Sequence, residues 1–105
     1  MDDLKIARKY CAKAQSSQQR GVSFTLTFIQ YKKLLNTKKC FYTGVVLTDP
    51  SLGVVPTSFT IDRIDASVGY TNSNCVACSH EFNQIKGNLT LRDIRILSTK
   101  LKNKL

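Results

Sequence analysis

Residues 58–64, Ser58-Phe59-Thr60-Ile61-Asp62-Arg63-Ile64, alternate side chains with the period of a half-buried strand. This alternation restricts the fold more than any other feature, because segments of helical period bracket it. Leu4, Ala7, Cys11 and Ala14 recur at 3.6-residue spacing, with Ile6 and Tyr10 widening the stripe, which predicts a helix over 3–17. The turn-rich run Ser16 to Gly21 ends it. Thr27 is placed to cap a second helix through Phe28, Ile29, Tyr31, Leu34 and Leu35, ending near Asn36. Cys40-Phe41-Tyr42 and Val45-Val46-Leu47 read as short β pieces, and Asp49 to Gly53 as a turn. After the strand comes a polar loop, Gly69 to Asn74, then a predicted helix from Asn74 or Cys75 to Lys86, stopped by Gly87. Thr90-Leu91-Arg92-Asp93 is a capping-box start for a last helix, with Leu91, Ile94, Leu97 or Ser98, and Leu101 as its expected inner face. Helices at both ends and a few short strands between them imply an α+β fold with a small sheet, one domain in 105 residues.

Charge narrows the partners. Lys and Arg total 16 against 7 Asp and Glu, a formal net charge of +9. So much like charge on so small a body favours a polyanion or an acidic surface as partner. No apolar run approaches the ~18 residues of a membrane span, and Met1-Asp2-Asp3-Leu4 lacks a signal-peptide pattern, so a cytoplasmic protein is expected. A reducing compartment leaves Cys11, Cys40, Cys75 and Cys78 as free thiols. Cys75-Val76-Ala77-Cys78 has no second pair at ligand spacing, so these cysteines read as small buried side chains.

The loop between the strand and the helix sets Asp62 and Asn83 on facing elements. One carboxylate and one amide oxygen suit a hard divalent cation that keeps the rest of its coordination sphere for water and phosphate, as Mg²⁺ does.

Four segments in order, Cys40-Phe41-Tyr42-Thr43-Gly44, Ile61-Asp62-Arg63-Ile64-Asp65, Gly69-Tyr70-Thr71-x-x-Asn74 and Asn83-x-x-Lys86-Gly87, resemble the HNH endonuclease family. The likeness is to the phage and mobile-element branch that reads D-R-I-D, G-Y-T-x-x-N and N-x-x-K. The resemblance spans residues 40–87 and implies a ββα-metal core, which with the second helix gives a unit at 23–88 between an N-terminal helical extension at 1–22 and a C-terminal helix at 89–105. It implies Asp62 and Asn83 as ligands of Mg²⁺ or Mn²⁺. It also implies that Asn74 pins the loop by hydrogen bonds and that Lys86 lies near the substrate phosphates.

Two departures from the family pattern matter. Arg63 stands where the general-base histidine is usual, and a guanidinium cannot accept a proton. Arg63 can instead clamp the scissile phosphate. His80, the single histidine, and Asp65 are then the candidate bases, and a metal-bound hydroxide would need no side-chain base at all. The second departure is that Thr43, Ser79 and Phe82 replace three of the four cysteines that hold a structural zinc in many relatives. A structural zinc is therefore not expected, and packing by Phe41 and Phe82 is expected in its place. The function implied is metal-dependent hydrolysis of DNA phosphodiester bonds, one nick per site on double-stranded DNA. The alternatives are an HNH-fold nucleic-acid-binding protein without cleavage and a basic protein-interaction module.

Overall fold

The computed structural model describes residues 2–104. Helix α1 (Asp3–Gln19) starts at Asp2, whose carboxylate accepts the Lys5 N–H at 2.9 Å. Helix α2 (Phe28–Leu35) starts in a capping box, in which Thr27 and Gln30 satisfy each other's backbone N–H. The two helices pack through Ile6 and Tyr31, which join Leu26, Tyr70 and Cys75 in the buried core. Tyr10 lies edge-on to Phe24, Phe28 and Tyr31 at ring separations of 5.5, 5.9 and 5.5 Å. Its hydroxyl donates to the Leu26 carbonyl at 2.6 Å. Ile6 is fully buried, so α1 is a structural part of the core.

The sheet is a two-stranded antiparallel hairpin of β1 (Phe59–Arg63) and β2 (Cys75–Ser79), with Asp62 opposite Val76 and Thr60 opposite Cys78. This corrects the predicted helix start at Asn74 or Cys75. The stretch Cys75-Val76-Ala77-Cys78 is short and apolar, and pairing with β1 decides its conformation. Helix α3 (His80–Lys86) begins only after Ser79, whose hydroxyl accepts the Phe82 N–H at 3.2 Å. The predicted β pieces at 40–42 and 45–47 also change. They form a tight turn, closed by Cys40 N–H to Val45 carbonyl (2.9 Å) and Gly44 N–H to Cys40 carbonyl (3.0 Å), with one isolated bridge between Lys39 and Val46. Gly44 takes φ 75°, which a side chain would disfavour. Phe41 N–H donates to the Ala77 carbonyl, so this turn docks on β2 and carries Tyr42 toward the strand pair.

The connection from β1 to β2 runs against the segment that joins α1 to α2. Tyr70 and that segment exchange backbone bonds, Tyr70 N–H to Ser23 carbonyl (2.8 Å) and Thr25 N–H to Tyr70 carbonyl (2.9 Å). Gly69 makes the approach possible: a Cβ there would sit 2.4 Å from the Ser23 carbonyl oxygen.

Helix α4 (Leu91–Lys102) begins in the capping box of Thr90 and Asp93. Leu91 and Ile94 are half-buried. Leu97 and Leu101 are 46% and 53% exposed, so the expected inner face covers the core only over the first turn. Among the described residues no helix is long and apolar enough to cross a membrane.

Candidate active site

Asp62 is the buried residue of β1, on the strand face that meets α3. A lone carboxylate there would be costly. Two partners from different elements meet it. Tyr42, delivered by the turn on β2, donates its hydroxyl to Asp62 Oδ2 at 2.6 Å. Lys86, in the last turn of α3, places its Nζ 3.3 Å from Oδ1 and 3.2 Å from Oδ2, and donates to the Arg63 carbonyl at 3.1 Å. Burial and the Asp62 carboxylate hold the Tyr42 hydroxyl above its ordinary range, so Tyr42 serves here as a hydrogen donor. Its ring also stacks on Phe82 at 4.9 Å and meets Phe41 edge-on at 5.1 Å. These aromatics fill the space between turn and helix, although Phe41 itself remains 53% exposed.

Lys86 requires a correction. The resemblance implies a lysine near the phosphates, but this side chain is fully buried and its ammonium is the counter-ion of Asp62. The physical reason is the position of Lys86 on α3, which aims its stem under β1 rather than into solvent. Nothing in the residue pattern distinguished a buried lysine from an exposed one, and Tyr42 carried no signal of its contact with Asp62.

Asn83 is fixed by a short polar relay. Its Nδ2 donates to Thr60 Oγ1 at 3.0 Å, and Thr60 in turn donates to the Cys78 carbonyl at 2.8 Å. The amide nitrogen is thereby committed to the strand, which leaves its oxygen to act as a ligand. Asp62, Arg63 and Asn83 line one cavity of about 190 Å³, together with Ile61, Ala66, Tyr70, Gly87 and Asn88. Arg63 is held by the Val68 carbonyl (3.3 Å) and by the Tyr70 ring, with its guanidinium carbon 5.0 Å from the centroid. The structure therefore brings Asp62, Arg63 and Asn83 together.

Asn74 and His80 lie outside that cavity. Asn74 is buried and braces the loop. Its Nδ2 is shared among the carbonyls of Asp65, Val68 and Gly69 at 3.0, 3.2 and 3.0 Å, and its Oδ1 accepts the Asp65 N–H at 2.9 Å. His80 opens α3, with its backbone N–H on the Ser58 carbonyl. Asp65 spends one carboxylate oxygen on the Ser67 hydroxyl and N–H, which hold it below the usual carboxylate range and make it a weaker base.

The donor set fits a hard cation. Asp62 Oδ1 or Oδ2 and Asn83 Oδ1 are hard oxygen donors, and a carboxylate with about four lone-pair positions retains capacity beside Tyr42 and Lys86. Among the described residues no group of three or more His, Cys, Asp or Glu could hold a metal, so water and phosphate oxygens would have to complete the sphere. Lys86 and Arg63 leave the cavity without excess negative charge, so such an ion would bind best together with an anion.

No protein-family model matches the chain. In sequence it is 28% identical over 90 residues to an uncharacterized 29.0 kDa protein from the dda-modA intergenic region of Enterobacteria phage T4, covering 86% of this chain and 35% of that protein. It is 27% identical over 95 residues to an uncharacterized protein of Acanthamoeba polyphaga mimivirus, covering 90% of this chain and 16% of that protein. The chain thus spans well under half the length of these curated relatives. In structure it is similar to PacI, a rare-cutting HNH restriction endonuclease, with a TM-score of 0.63 and 18% identity over 98% of this chain and 78% of that one. Likeness at this level establishes the fold: four helices and a two-stranded sheet in an HNH-like α+β arrangement.

Proposed function

We propose that the chain is a metal-dependent endonuclease of the HNH type that nicks double-stranded DNA. One observation carries the reading: a strand carboxylate (Asp62), a strand guanidinium (Arg63) and a helix amide (Asn83) line the same small cavity in an HNH-like fold. Asp62 and Asn83 would hold Mg²⁺ or Mn²⁺, and the ion, when bound, would neutralise charge developing on the scissile phosphate. Arg63 contributes a fixed positive charge. Its anchorage on Val68 and Tyr70 lets it meet a phosphate oxygen with little reorganisation. Asn74 acts at one remove, by holding the loop that Arg63 leans on. The catalytic core is assigned to residues 23–88, supported by α1.

The general base is not His80 in this reading, because the histidine is outside the residues that line the cavity. Arg63 cannot take the water's proton. That favours a second reading, a nucleic-acid-binding protein of the same fold with little cleavage.

Supercoiled plasmid incubated with the chain in Mg²⁺ or Mn²⁺ separates the two. Nicking that chelator stops, and that Asp62→Ala and Asn83→Ala each reduce at least ~100-fold, supports the enzyme. Salt-sensitive binding with no nicking in either metal supports the second reading. No DNA binding at low salt refutes both.

A further inference from the structure

Three cations converge on the ring of Tyr70. Lys13 Nζ lies 4.6 Å from its centroid, the Arg63 guanidinium carbon 5.0 Å and the Arg20 guanidinium carbon 6.0 Å. Arg20 is further fixed, its Nη2 donating to the Tyr70 hydroxyl at 3.2 Å and its Nε to the Ser16 carbonyl at 3.4 Å. Burial raises the Tyr70 hydroxyl, yet Arg20 and Lys13 outweigh it and leave the group below its ordinary value. The ion pairs among the described residues are Lys32 with Asp3 and Lys86 with Asp62, so none of these three cations has a carboxylate within 4.0 Å. A helix C-terminus accounts for one cation at the end of α1. It does not account for three held around one ring beside the candidate cavity, which Tyr70 and Arg63 also line.

Like charges held together without counter-ions are favoured when a polyanion supplies them. Lys13 lies on α1 and Arg20 is its C-cap residue seven positions on, two helical turns and about 10 Å along the same side. The lysine that the HNH resemblance places at the phosphates is spent on Asp62, so backbone contacts beside the cavity must come from elsewhere.

We propose that Lys13 and Arg20 bind the nucleic-acid backbone next to the scissile position and continue the phosphate track from Arg63 onto α1. The proposal rests on the nuclease reading above and adds to it residues that positioning by Tyr70 preorganises.

Fluorescence anisotropy of the full chain with labelled duplex DNA in chelator, titrated with salt, tests it. Lys13→Gln/Arg20→Gln should weaken binding roughly 10- to 100-fold at 0.1 M salt and flatten the log–log salt slope by about 2; each single variant should flatten it by about 1. Lys100→Gln/Lys102→Gln, at the exposed end of α4, removes the same charge and is the control. It should change the slope by less than half as much. Circular dichroism checks that the variants keep their helices. Equal slopes for the two double variants would mean that only net charge matters and would overturn the proposal alone. Absence of binding by the unmodified chain would overturn it together with the nuclease reading.

Discussion

Lys86→Met isolates the pair at the centre of the site. The substitution keeps most of the stem and removes the ammonium. Asp62, whose side chain is 6% exposed, then retains Tyr42 as its donor, and the Arg63 carbonyl loses its partner. Removing one member of a buried ion pair leaves an uncompensated charge and costs about 3–5 kcal/mol. Asp62→Asn strands the Lys86 ammonium instead, at similar cost. The double variant strands neither charge, so its cost should fall short of the sum of the singles by about 2–3 kcal/mol. A domain of this size has a total stability of roughly 5–15 kcal/mol, so both singles should shift the urea midpoint clearly. The assay is urea unfolding of all four proteins at pH 7, read by circular dichroism. Repeating it in 0.5 M salt should leave the coupling nearly unchanged, because buried charges are little screened. Single costs below about 1 kcal/mol, or additive costs, would refute the claim that Lys86 is the buried counter-ion of Asp62.

Asn74→Ala removes four short bonds that brace the loop between β1 and β2, and should cost about 2–3 kcal/mol in urea unfolding. Under the proposed function it should also slow plasmid nicking, with the ends produced unchanged. Cys40 provides a pH test. Burial raises its thiol, but bonds from the Thr43 side chain and from the backbone of Ser79, Thr43 and Tyr42 outweigh that and bring it down to about 7, against 9.0 unfolded. A group depressed in the folded state adds stability above its unfolded value and loses it as pH falls through the folded one. Unfolding free energy should therefore rise from pH 7 to 9 by at most about 2.7 kcal/mol, measured under reductant. Cys40→Ser should flatten that rise; a rise that persists in the variant would refute the assignment. The neighbouring Cys78, pushed up to about 12 by burial and by Cys40, acts with opposite sign only above pH 9.

What could be read from the residues depended on whether local rules decided the structure. Thr27 and Thr90 cap helices by contacts three residues away, and β1 sits inside an alternation that needs only residues 58–64, so these elements were legible. β2 was not. Asn74 has the chemistry of a helix cap, and only pairing with β1 shows that Ser79 holds that place while Asn74 braces a loop. The order of Asp62, Asn74 and Asn83 was legible through a resemblance. The partners of Asp62 were not, because Tyr42 and Lys86 reach it across 20 and 24 residues of chain and neither follows from local spacing. The cations around Tyr70 were visible as charge, but their convergence depends on how α1 folds back.

Gly69 has a consequence for how such a chain can be divided or recombined. The missing side chain lets the loop edge and the α1–α2 linker interlock backbone to backbone. A cut after residue 22 would therefore remove more than an appendage: it would strip Ile6 and Tyr10 from the interior and leave the linker segment at Phe24, which bridges Tyr70, without its helix. Grafting the short motif segment alone onto another scaffold would carry the reactive groups without the frame that holds them. The first helix and the motif segments therefore act as one body, and alanine at this single position would push the Ser23 backbone out of its contact.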